Sequence, residues 1–278
     1  MTEASDRPDH SMLRRLANNI ETALHRLARA PRGRVADAWP FTWEQAGIAA
    51  AAALVLFLVG MIFLDGAAIR GVAHLPRAVV WFFEQVTEFG LGGWFLWPLG
   101  LLFVAIMALP ATLPRIPQLV LAAIAVRVGF LFVAIGAPGL FASIVKRIIG
   151  RARPLVTGVV DPYVFSPFIW RSAYASLPSG HATTAFAVLV AFGTLWPRAR
   201  TVLWIYVALI AISRVVVTAH FPTDVLAGAV VGGVGALMVR RWFALRHLGL
   251  SLRPDGTVLL WPGPSLRRIK AVARGLLS

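Results

Sequence analysis

The sequence predicts an all-α, polytopic membrane protein: a bundle of six transmembrane helices with the N and C termini both cytoplasmic. Three observations carry that expectation. Of the 278 residues, 58% are hydrophobic and only 14% charged, with mean hydropathy +0.75; soluble domains are about a quarter charged. Six apolar runs reach, or nearly reach, the roughly 17–25 helical residues that cross a bilayer. The arginines fall unevenly between the linkers that join these runs.

Taken in order, residues 1–45 form a basic segment with seven arginines, expected on the cytoplasmic side. Within it, residues 11–30 place Leu13, Leu16, Ile20, Leu24 and Leu27 on one stripe with arginines opposite, the pattern of a basic interfacial helix. No cleavable signal peptide is expected, because this polar stretch precedes the first apolar run. A six-span membrane domain is assigned to 46–243, with spans at 46–64, 94–109, 118–137, 182–196, 201–218 and 224–243. The second and fourth are short and are expected to gain a turn from their flanks. Long unbroken apolar runs, rather than alternation, argue for helices against sheet. The stretch "RAVVWFFEQVTEF" (77–89) reads as an amphipathic helix on the outer surface. The basic tail 244–278 is expected to hold a hairpin in "SLRPDGTVLLW" (251–261), turning through Pro254-Asp255-Gly256, and a surface helix in "LRRIKAVARGLL" (266–277).

Orientation follows from counting arginines. Residues 1–45, the linkers at Arg115 and "WPRAR" (196–200), and the tail from Arg240 with its seven arginines and Lys270 share one side if there are six spans. The positive-inside rule makes that side cytoplasmic. The net charge of +15 is therefore assigned to topology and anionic lipid rather than to nucleic acid. The chain has no cysteine, which excludes disulfides and thiolate metal sites. One outer loop breaks the rule: residues 144–181 carry Lys146, Arg147, Arg151, Arg153 and Arg171 against Asp161. Such a loop is expected to face a fixed anionic ligand. The other outer face holds Arg70 and Arg77, offset by Asp65, Glu84 and Glu88.

Three polar groups meet the ends of the spans on that face. "KRIIGRARP" sets six residues between Lys146 and Arg153-Pro154. "PSGH" places Ser179, Gly180 and His181 at the start of the fourth span. "SRVVVTAHFPTD" spaces Ser213-Arg214, His220 and Asp224 across the turn between the last two spans. Each alone has an ordinary explanation: snorkelling cations, a helix start, an interfacial histidine. Arg214 is harder to dismiss, since an arginine inside a span costs about 2.5–3.5 kcal/mol on insertion scales and such residues face a cavity or a partner. Asp224 follows Pro222 closely enough for its carboxylate to reach back to His220.

Together these residues amount to two histidines, one carboxylate, three cations and a helix N-terminus, which offers free N–H groups to an anion. That inventory suits a phosphate dianion in transfer, with a carboxylate-oriented histidine as nucleophile and a second histidine as proton donor. A divalent metal is disfavoured among so many cations, and no cofactor is implied.

The three motifs, in this order and spacing, resemble those of the type 2 phosphatidic acid phosphatase superfamily, the integral membrane lipid phosphatases. The resemblance covers about 87–240, including "VTEFGLGGW" (86–94) ahead of the second span. It implies that His220 is the nucleophile, Asp224 its orienting partner and His181 the acid. Lys146, Arg153, Ser179, Gly180 and Arg214 would bind phosphate. The implied protein is a metal-independent phosphatase of the cell (inner) membrane. It would act at its outer face on a lipid phosphomonoester or diphosphate through a phosphohistidine. Isoprenyl diphosphate, phosphatidylglycerol phosphate, phosphatidic acid and a phosphorylated glycolipid all fit as substrate. A phosphotransferase using the same histidine is the alternative. A lipid or anion transporter would not need the histidine–aspartate pair and lacks an evident internal repeat. Nothing in the sequence fixes an oligomeric state.

Overall fold

A computed structural model describes residues 10–31, 42–109 and 113–277. Residues 1–9, 32–41 and 110–112 lie outside the described residues, and with them parts of the expected basic N-terminal segment. The described chain is mostly helical: α1 (His10–Ala28), α2 (Trp43–Phe63), α3 (Asp65–Val72), α4 (Arg77–Glu88), α5 (Gly93–Ala108), α6 (Arg115–Ile149), α7 (Gly180–Leu195), α8 (Arg200–Val216), α9 (Pro222–Leu245) and α10 (Leu266–Leu277). Among the described residues five stretches are long and apolar enough to cross a membrane: Trp43–Phe63, Arg77–Ala108, Arg115–Ile149, Pro197–Val216 and Pro222–Leu245. The sixth expected span is α7, apolar but 16 residues long.

Three differences from the sequence expectation have physical reasons. The third span does not end at residue 137. It continues to Ile149 as one 35-residue helix carrying Pro138, because falling hydropathy does not by itself terminate a helix. Residues 65–72, read as loop, form α3, too short for a periodic signal. The second and fourth spans gain no full turn: α5 and α7 each have 16 residues. Instead α4 leads almost directly into α5, so the two together make a 32-residue apolar stretch.

The described residues divide into two compact units. One comprises Trp39–Leu96 and Leu131–Arg240. There α2 buries no residue, and its Leu54, Val55, Leu56, Ile62 and Phe63 are all exposed, as befits a helix that faces lipid. Ala185, Leu189, Val207 and Ile210 form a tight core between α7 and α8. α9 crosses α7 at backbone contact: a Cβ at Gly228 would lie 2.5 Å from the Ser179 carbonyl oxygen, and one at Gly232 only 2.1 Å from that of Thr183. These glycines let the starts of the two helices meet.

The other unit comprises Met1–Ala38, Trp97–Phe130 and Arg241–Ser278. Asn19 Nδ2 donates to the Met107 carbonyl at 2.7 Å, and Trp242 Nε1 donates to that of Leu27 at 3.2 Å. The expected hairpin is present, with β1 (Leu250–Leu252) antiparallel to β2 (Val258–Leu260). It turns at Gly256, whose φ of +77° suits glycine. Arg127 Nη2 donates to the Trp261 carbonyl at 2.8 Å and ties the hairpin to α6.

Candidate active site

All eight sequence-predicted site residues fall in the unit that holds α7, α8 and the start of α9. Ser179 is the N-cap of α7, its hydroxyl accepting from the Ala182 N–H at a long 3.5 Å. Its own N–H donates to the Asp224 carbonyl at 2.9 Å, fastening the cap to the first turn of α9. In a helix capped this way the N–H groups of Gly180 and His181 have no intrahelical acceptor. A Cβ at Gly180 would lie 3.1 Å from the Lys146 ammonium, so the last turn of α6 brings that cation against the start of α7. A Cβ at Gly90 would lie 2.8 Å from His181 Cδ2, so the imidazole packs directly on the backbone that follows α4. Lys146, Arg153, Arg214 and His220 all lie within electrostatic reach of the His181 ring.

Arg153 is placed by a loop stitched through its backbone. The Ala152 N–H donates to the Val164 carbonyl at 2.9 Å, the Arg153 N–H to Ala173 at 2.8 Å, and the Ser176 N–H to Arg151 at 3.1 Å. Arg214 stands at the end of α8, where its carbonyl accepts the N–H groups of both Ala219 and His220 at 3.1 Å. This explains the short spacing between Arg214 and His220: one turn carries both. Arg214 Nη1 donates to the Thr87 hydroxyl. The Nε atoms of Arg153 and Arg214 are buried and make no hydrogen bond, donors directed at neither carboxylate nor carbonyl. Burial holds the Arg153 guanidinium below its ordinary pKa, against the pull of Asp224.

His220 and Asp224 are 2% and 0% exposed. The carboxylate does reach toward the ring, with Asp224 Oδ2 3.9 Å from His220 Nδ1, an ion-pair distance rather than a hydrogen bond. Burial is the largest influence on the ring and pushes its pKa down to about 4, although Asp224 pulls the other way. The base is thus neutral at physiological pH, with an unshared pair available.

Several residues escaped the sequence analysis. Arg151, counted there with the cations awaiting an outside anion, is completely buried and answered from within the chain. Its Nη1 donates to Asp224 Oδ1 at 2.7 Å and to the Thr223 hydroxyl at 2.8 Å. Its Nη2 donates to Asp65 Oδ2 at 2.7 Å, Nε and Nη2 reach the Pro162 carbonyl at 3.1 and 2.9 Å, and the guanidinium lies 4.5 Å from the Phe221 ring centroid. Asp65, read as a loop counter-ion, is the second carboxylate of this cluster. It also accepts the Thr223 N–H at 3.0 Å and the Thr223 hydroxyl at 2.5 Å. Ser176 donates to Asp224 Oδ2 at 2.6 Å, and the Phe221 N–H donates to the same oxygen at 2.9 Å. The one signal available beforehand was Arg151 itself, a charge too many for a loop expected on the outer side.

Comparison with known proteins shows the family of the chain. Residues 127–248 match the family model described as PAP2 superfamily. A lipid A 1-phosphatase of Rhizobium johnstonii is 34% identical over 224 residues, covering 80% of this chain and 88% of that protein. A lipid A 1-phosphatase of Rhizobium etli is 35% identical over 193 residues, covering 69% and 82%. Among solved structures, LpxE of Aquifex aeolicus aligns with TM-score 0.46 and 22% identity over 63% of this chain and 94% of its own. A transmembrane PAP2-type phosphatidylglycerolphosphate phosphatase of Bacillus subtilis aligns with TM-score 0.47 and 20% identity, covering 68% and 92%. With relatives about a third identical across most of both chains, and the family's pattern matched over its central helices, this integral membrane protein belongs to the PAP2 superfamily.

Proposed function

We propose that the protein is a membrane lipid phosphatase that removes the phosphate of a phosphorylated glycolipid of the lipid A type at the outer face of the inner membrane. The observation that carries the reading is the meeting of His220, neutral and backed by Asp224, with three cations and the start of α7. The lipid A 1-phosphatases among its relatives favour a glycolipid over the other lipid phosphates. Six spans, with segments 1–45 and 244–278 flanking the 46–243 domain in the cytoplasm, put this site outside.

In the proposed reaction the phosphate sits between the Lys146, Arg153 and Arg214 side chains and the N–H groups of Gly180 and His181. These donors neutralise charge that spreads over the equatorial oxygens. His220 Nε2 attacks phosphorus in line; the phosphorus–oxygen bond to the lipid breaks as His181 gives its proton to the departing oxygen. His181 then takes a proton from water, whose oxygen attacks the phosphohistidine and releases inorganic phosphate. Ser179 serves by capping α7 and holding the donors in place. Among the described residues no three His, Asp or Glu side chains gather as a cation site, and we expect activity to survive EDTA.

The test is phosphate release by purified protein from a panel of lipid phosphates, with and without a lipid acceptor, and with acid-labile phosphohistidine sought in quenched samples. A lipid A 1-phosphate should be preferred, and His220→Ala should form no phosphoenzyme. Transfer to the acceptor in place of release would make the protein a phosphotransferase. A phosphoenzyme in His220→Ala would reassign the nucleophile. His181→Ala should lose far more on an alkyl lipid phosphate than on p-nitrophenyl phosphate, whose aryl oxide leaves without a proton.

A further inference from the structure

We infer that Ser176 is the immediate partner of the His220 ring, so that Asp224 acts on the nucleophile through a hydroxyl rather than by direct contact. The inference rests on the reading of His220 as nucleophile and adds a positioning residue to it.

Hydrogen-bond accounting leads there. Asp224 Oδ1 is taken by Arg151 Nη1 at 2.7 Å. Oδ2 is taken by the Ser176 hydroxyl at 2.6 Å and the Phe221 N–H at 2.9 Å. At 3.9 Å from His220 Nδ1, the carboxylate is beyond hydrogen-bond range. Ser176 Oγ is closer to that nitrogen, at 3.4 Å, and is itself fully buried. A hydroxyl has one proton to give and lone pairs to accept with. Ser176 gives its proton to the carboxylate along the short bond, so its contact with His220 requires Nδ1–H as the donor. That fixes the tautomer: Nδ1 carries the proton and Nε2 carries the free pair. As Nε2 bonds to phosphorus the ring becomes cationic, and the hydroxyl passes the carboxylate's charge to Nδ1–H.

The backbone supports the arrangement independently. The Ser176 N–H donates to the Arg151 carbonyl at 3.1 Å, and the Arg151 side chain holds the far oxygen of Asp224. One loop thus positions both the serine and the carboxylate. Serine here is three residues ahead of Ser179, outside the motif that the spacing analysis singled out.

The experiment uses full-length protein labelled with ¹⁵N-histidine; the chain has six histidines, and the His220 signals are identified by their loss in His220→Gln. Wild type should show His220 as the Nδ1–H tautomer. Ser176→Ala should give mixed tautomers and lower kcat roughly ten- to a hundredfold, the usual effect of removing one partner from a charge-assisted hydrogen bond, with KM little changed. Ser176→Cys fills the same space with a weak donor and should lose as much as alanine, which separates lost chemistry from a void. In a Ser176→Ala, Asp224→Asn double variant the losses should not multiply, because the two residues act in series. Unchanged kcat and tautomer in Ser176→Ala and Ser176→Cys, or multiplying losses, would overturn the relay while leaving the His220 reading intact. A phosphoenzyme in His220→Ala would remove both.

Discussion

Replacing Arg151 with methionine removes the guanidinium that pairs at 2.7 Å with each of two fully buried carboxylates, Asp65 and Asp224. The side chain loses five hydrogen bonds, to Asp65, Asp224, Thr223 and twice to Pro162. Breaking a buried ion pair by removing one partner costs about 3–5 kcal/mol. A second estimate comes from the escape route. A stranded carboxyl can take up a proton, which from an ordinary pKa of about 3.9 costs about 4 kcal/mol at pH 7 and about 1.5 kcal/mol at pH 5. The two agree, so Arg151→Met should lower the melting temperature by roughly 6–20 °C at pH 7, and by clearly less at pH 5. Tryptophan fluorescence in detergent is the assay, the chain having ten tryptophans. Asp65→Asn combined with Arg151→Met should recover part of the loss, because one of the stranded charges is then gone. A melting temperature within two degrees of wild type and full turnover would refute the reasoning and reduce Arg151 to a surface cation.

Three further outcomes are expected. Arg153→Ala and Arg214→Ala should each cut kcat/KM by tenfold or more, from roughly 1.5–3 kcal/mol per lost charged hydrogen bond. Lys146→Arg should fail too, because the ammonium lies close against Gly180 and a bulkier planar fork does not replace a compact point charge; full phosphate release by these variants would make the three cations mere headgroup anchors. In the cysteine-free chain an impermeant thiol reagent should label Thr157→Cys in intact cells and spare Arg198→Cys; the reverse pattern would invert the topology. Thr157 is chosen over its neighbour Gly158, whose φ of +82° disfavours any side chain. Burial holds the His220 pKa near 4 against an ordinary 6.5, so below pH 6.5 the unfolded chain takes up a proton that the folded one refuses. Stability from this ring is whole above pH 6.5 and is lost as pH falls toward 4. The melting temperatures of wild type and His220→Gln should therefore diverge over that window, the variant falling less, and parallel curves would contradict the buried neutral ring.

What the sequence determined by itself was whatever is local or periodic. Apolar length located the long apolar helices, because crossing a bilayer is a one-dimensional requirement, but it ended the third at 137 where the helix runs on to Ile149. The turn at Pro254-Asp255-Gly256 was legible because only certain residues accept its dihedral angles. Lys146, Arg153, Ser179, Gly180, His181, Arg214, His220 and Asp224 could be picked out because each motif is short and its chemistry costly inside a membrane. Only the tertiary structure decided how those motifs are held. Asp65 and Arg151 are 86 residues apart, and Thr87 and Arg214 are 127 apart, so nothing local marks them as partners. Arg151 and Arg153 look alike on the same loop, yet one is locked between two carboxylates and the other keeps a buried Nε without a hydrogen bond. Burial and partners distinguish them, and both arise only when α7, α8 and the start of α9 close around the loop, because the worth of a charge depends on what it is buried against.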